Sequence, residues 1–127
     1  MRKPPHTVFE YLYRDASNYK AYGEVLLKGS MSGDAVQKLK DCLEDFGVFV
    51  AEQVGIPVLY EELYQYSDGP TDDDHAYHEF VLCRKATPED IDTLPLWGST
   101  QHLLAIFQKA KEKWNVMLSP HADPYWW

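Results

Sequence analysis

Val8-Phe9-Glu10-Tyr11-Leu12-Tyr13-Arg14-Asp15-Ala16-Ser17-Asn18-Tyr19-Lys20-Ala21-Tyr22-Gly23-Glu24-Val25-Leu26-Leu27-Lys28 is the stretch whose reading decides the fold. Two runs rich in aromatic and β-branched residues flank Asp15-Ala16-Ser17-Asn18, the pattern of two antiparallel strands joined by a four-residue turn. Side chains alternate along a strand, so Phe9, Tyr11 and Tyr13 share one face and Val8, Glu10 and Leu12 the other. Both faces carry apolar residues. One is therefore expected to meet a helix, and the other to be partly covered or open to a partner. Gly23 interrupts the return strand, which signals a bulge or a close backbone approach.

Arg14, Asp15, Asn18, Tyr19 and Lys20 crowd the turn end of this hairpin. Asp15 and Asn18 suit the turn backbone, with Arg14 and Lys20 solvated. The same group read as a recognition corner would place a guanidinium, an ammonium and a phenol around an anion or nucleotide. Tyr13-Arg14-Asp15, Asn18-Tyr19-Lys20 and Gly23-Glu24-Val25, together with His75-x-x-His78-Glu79-Phe80, resemble stretches shared by a group of small uncharacterised bacterial proteins. The resemblance implies a prokaryotic origin and one compact domain, and it carries no catalytic residue.

Outward from the hairpin, Ala35, Val36, Leu39, Cys42, Leu43 and Phe46 recur at three- and four-residue intervals. This predicts a helix over 34–46, capped by Ser32 or Asp34 and ended by Gly47. Val48-Phe49-Val50 and Val58-Leu59-Tyr60 are short strand-like runs, the second limited by Pro57, and residues 61–66 are ambiguous. Residues 67–74 form an acidic, turn-rich loop. From His75 to Lys85 alternation returns as a third strand, with His78, Phe80 and Leu82 on one side and Tyr77, Glu79, Val81 and Cys83 on the other. Thr87-Pro88-Glu89-Asp90 is a helix start of the capping-box kind, closed by Pro95, and Leu96-Trp97-Gly98 reads as a joint. Leu103, Leu104, Ile106, Phe107, Ala110 and Trp114 then predict a helix over 99–114. The tail at 119–127, ending in Trp126 and Trp127, is too rich in proline for a regular element. Its aromatics dock on the body or serve a partner or a homodimer.

The expected fold class is α+β. A small, mainly antiparallel sheet, made of the N-terminal hairpin plus the third strand, is packed by two amphipathic helices within a single domain over 1–127. An apolar fraction of 45% with 25% charged residues is that of a folded protein. No apolar run nears the roughly 20 residues that span a bilayer, and the first residues lack a signal-peptide core, so the expected location is cytoplasmic. Cys42 and Cys83 lie in apolar patterns and read as buried thiols.

Charge is unevenly spread: residues 1–28 carry a net +2, residues 29–79 a net −10 and residues 80–127 a net 0, within a total of −8. A concentrated negative field argues against nucleic acid and anionic membranes, and favours a basic protein partner. No phosphate-binding loop, nucleophile elbow, H-E-x-x-H or paired C-x-x-C is present. Asp74, His75 and His78 form the one candidate set for a divalent metal, the alternative to a protein with no cofactor. On a strand, though, His75 and His78 face opposite ways. The expected function is a noncatalytic protein-binding, inhibitor- or immunity-type module of a bacterium or phage, acting through its acidic surface. A small metal-dependent hydrolase built on residues 72–79 is the alternative. The expected contact residues are Arg14, Asp15, Asn18, Tyr19, Lys20, Trp126 and Trp127.

Overall fold

The structure, a computed structural model, describes residues 5–14, 19–63 and 77–115. Strands β1 (His6–Arg14) and β2 (Lys20–Lys28) form the antiparallel hairpin, in unbroken register from His6 opposite Lys28 to Arg14 opposite Lys20. β3 (Val48–Val50), β4 (Tyr77–Lys85) and β5 (Leu96–Ser99) complete a five-stranded sheet of order β3-β4-β1-β2-β5. Every pairing is antiparallel except that of β2 with β5. The helices are α1 (Gly33–Asp41), α2 (Ala51–Val54), α3 (Pro88–Thr93) and α4 (Thr100–Ala110). The fold is α+β.

Phe9, Tyr11 and Tyr13 of β1 are buried on the inner face with Val25 and Leu27 of β2, and α1 and α4 close over them with Leu39, Cys42, Leu103 and Phe107. Aromatic rings knit this layer. Phe9 lies 5.9 Å from Phe49, 6.1 Å from Phe107 and 5.5 Å from Phe80, in the tilted and edge-on geometries that ring quadrupoles favour. Gly23 sits opposite Tyr11 without breaking register, so it marks a close approach and not a bulge. A Cβ built there would stand 2.8 Å from both Tyr11 Cζ and Leu59 Cδ2. The ring cannot easily retreat, because the Tyr11 hydroxyl donates to the Pro57 carbonyl at 2.6 Å.

The bulge lies in β4 instead. Glu10 pairs with Leu82 and Tyr11 with Phe80, which leaves Val81 as the extra residue. Beyond it the alternation inverts. Cys83 comes to the core beside Phe9, while Leu82 turns outward at 40% exposure, reversing the expected sides of both. Burial pushes the Cys83 thiol up to about 12 and raises that of Cys42 as well, so neither is a ready thiolate.

Capping chemistry holds where it was expected. The Ser32 hydroxyl accepts from the Ala35 amide, Ser99 from His102, and Thr87 with Asp90 forms a reciprocal capping box behind Pro88. Helix ends differ. α1 stops at Cys42 rather than Gly47, and α4 stops at Ala110, with Trp114 folding back to donate from its indole to the Cys42 carbonyl at 2.8 Å. Leu96-Trp97-Gly98 is an edge strand rather than a joint. The Leu26 amide donates to the Pro95 carbonyl, and the parallel pairing follows from there. That pairing is tertiary, so no local pattern announces it. Val58-Leu59 is irregular, and Tyr60–Leu63 is a 3-10 turn. Among the described residues no helix is long and apolar enough to cross a membrane.

Candidate functional site

Of the residues expected at the turn corner, Asp15 and Asn18 lie outside the described residues. Arg14 and Lys20 are cross-strand partners on the outer face, as the register requires, and Tyr19 and Lys20 are exposed. The Arg14 guanidinium is engaged at 2.9 Å by Glu79, so much of its charge is already answered.

Asp74, His75, Trp126 and Trp127 also lie outside the described residues. His78 is fully buried, ringed by Tyr13 at 5.3 Å, Tyr60 at 6.0 Å, Tyr11 at 6.1 Å and Phe49 at 6.2 Å. Its Nε2 accepts a hydrogen bond from the Leu59 amide at 3.0 Å, and an imidazole accepting there is neutral. That lone pair is therefore not offered to a metal. Among the described residues, no three His, Cys, Asp or Glu side chains are placed to hold an ion.

On the outer face an unforeseen hub forms. Glu10 and Glu24 are direct cross-strand partners and would repel each other. Arg84, brought to that face by the bulge, donates to Glu10 and Glu24 at 2.7 Å each and to Asp90 of α3 at 2.6 Å. One guanidinium thus ties β4, β1, β2 and α3 together. Three carboxylates separated by up to 80 residues carry no common signal in sequence.

The Arg84 guanidinium and the Thr87 amide hold the Asp90 carboxyl well below the usual carboxylate range. A depressed folded pKa contributes stability that is complete above the unfolded value, near pH 4, and is lost as pH falls through the folded value. Asp90→Asn is expected to lower the urea midpoint at pH 7, and the gap from wild type should narrow as the pH is taken from about 4 to about 2. An equal gap at both ends of that range would mean that ionisation of Asp90 contributes nothing.

The most unusual surface feature is Phe46. The periodicity that placed it on the buried stripe of α1 fails because the helix ends at Cys42, and the chain turns through Glu44–Val48. The Glu44 amide donates to the Val48 carbonyl at 2.9 Å and the Gly47 amide to Glu44 at 3.1 Å, closing the turn. At its tip Phe46 is 99% exposed with φ 69°, ψ 15°. Left-handed backbone costs a non-glycine residue about 1 to 2 kcal/mol, and here the ring recovers nothing by packing. Beside it, Asp41, Glu44, Asp45 and Glu112 line a shallow cavity of about 230 Å³, with Lys111 the one cation among its lining residues. The acidic surroundings are legible in the sequence, and the aromatic tip is not. The signal was Glu44-Asp45-Phe46-Gly47, a turn sequence read as the end of a helix.

No protein family, curated protein or solved structure matches the chain.

Proposed function

We propose that this chain is a noncatalytic association module, of the inhibitor or immunity kind found in bacteria and phages, whose acidic surface binds a basic protein. The observation that supports it is the Glu44–Val48 turn. It presents an unpacked aromatic ring on strained backbone, directly after Glu44 and Asp45, which with Asp41 and Glu112 line the neighbouring shallow cavity. Aromatic side chains surrounded by charge suit interfaces, where the ring fills a pocket on the partner and the charges steer the encounter and set its register.

The test is capture from a native bacterial lysate on immobilised protein, at low and at high salt. A basic protein is expected to be retained at low salt and released at about 0.5 M salt, where the Debye length is a few ångströms. Combining Asp41→Asn, Glu44→Gln and Asp45→Asn should abolish its retention. If nothing salt-sensitive is retained, or if the triple variant retains the same protein, the reading fails.

A further inference from the structure

We propose that a second copy of this chain is a ligand for Phe46, received in the cleft between the start of β1, the end of β4 and the loop after β2. This rests on reading the Phe46 turn as a contact element. That cleft has a volume of about 330 Å³, and its lining includes Pro5, Met31 and Cys83 together with His6, Arg84 and Lys85. Its volume exceeds the roughly 150 Å³ that holds a benzene ring, so a phenyl group has room there, in a lining that is part apolar and part polar. Cys83, protonated at neutral pH, serves there as a small apolar wall.

Charge matches locally. Phe46 directly follows Glu44 and Asp45, whereas the cleft lining includes the exposed Lys85. Arg84 adds little, being already shared among Glu10, Glu24 and Asp90. At longer range two copies at −8 repel each other. Salt screens that repulsion, and the apolar insertion does not depend on it, so self-association should persist or grow with salt. This is opposite to the behaviour of a basic partner. Knob and cleft are different patches, so the contact closes into a dimer only if both meet their counterparts around a two-fold axis. Otherwise it propagates from copy to copy. One ring and its rim make a contact well below a standard interface, hence a weak one.

Sedimentation equilibrium of the purified chain from about 10 μM to about 1 mM, at about 0.05 and 0.5 M salt, tests this. The weight-average mass of wild type is expected to rise with concentration at both salts. Phe46→Gly, which suits the left-handed backbone, should stay monomeric with an unchanged or higher urea midpoint. Lys85→Glu should lower the association, and adding Asp45→Lys to it should restore it. A wild type monomeric throughout, a Phe46→Gly variant that associates like wild type, or a double variant no better than Lys85→Glu overturns the proposal. Monomeric protein that still captures a salt-sensitive basic protein leaves the association reading standing. Self-association without such a protein does the reverse.

Discussion

His78→Ala is expected to destabilise the fold by about 3 to 5 kcal/mol, read as a fall in urea midpoint at constant slope. Two effects add. Removing the imidazole leaves a cavity among Tyr11, Tyr13, Phe49 and Tyr60, and it strips the Leu59 amide of its acceptor inside the core. His78→Phe separates the two, because it refills the space while removing the acceptor of the Leu59 amide. That variant should still lose about 1 to 3 kcal/mol, the cost of an unsatisfied buried amide. If His78→Phe matches wild type, the Leu59 hydrogen bond contributes nothing, and His78 is there for packing alone. If His78→Ala is itself near neutral, the core around it is not as close-packed as the ring distances imply.

Gly23→Val should cost about 2 to 3 kcal/mol, at the upper part of the range for overpacking a core. The residue is in a strand interior, where valine is ordinarily the better choice, so local propensity predicts the opposite sign. Contacts decide. The added carbons would overlap Tyr11, pinned through its hydroxyl at Pro57, and the buried Leu59. Gly23→Ala, with a single Cβ 2.8 Å from both neighbours, should lose less than Gly23→Val. Pairing Gly23→Ala with Tyr11→Leu should cost less than the two single changes added together, since the smaller side chain vacates the space. Strict additivity in that cycle would place the strain elsewhere.

Both predictions concern a layer whose membership was visible from alternation. Phe9, Tyr11 and Tyr13 are buried as a set, and Leu39, Leu103 and Phe107 meet them from helices whose stripes and caps were legible. Phe46 is the counterexample. It sits seven residues after Leu39, in phase with the same stripe, yet the helix has ended before it. Periodicity reports what a helix would do if it continued, and only the closing of the Glu44–Val48 bridge decides that it does not. Of the candidate contact residues, Arg14 and Lys20 were brought together by hairpin register, which is local. The engagement of Arg14 by Glu79, 65 residues on, was not foreseeable.

By itself the sequence determined the hairpin, the helix caps and the amphipathic helices, and with them the α+β class, because each depends on interactions within a few residues of chain. It also determined where the negative charge accumulates, which is a matter of composition. Tertiary structure alone decided the bulge at Val81, and through it the exchange of Leu82 and Cys83 between faces. It likewise decided the gathering of Glu10, Glu24 and Asp90 on Arg84, the parallel edge strand at Leu96–Ser99, and the exposure of Phe46. The exposure of Phe46 follows from the local Glu44–Val48 bridge; each of the others is chosen by pairing between segments far apart in sequence. A one-residue slip in such pairing moves every later side chain to the opposite face, and no local pattern encodes it.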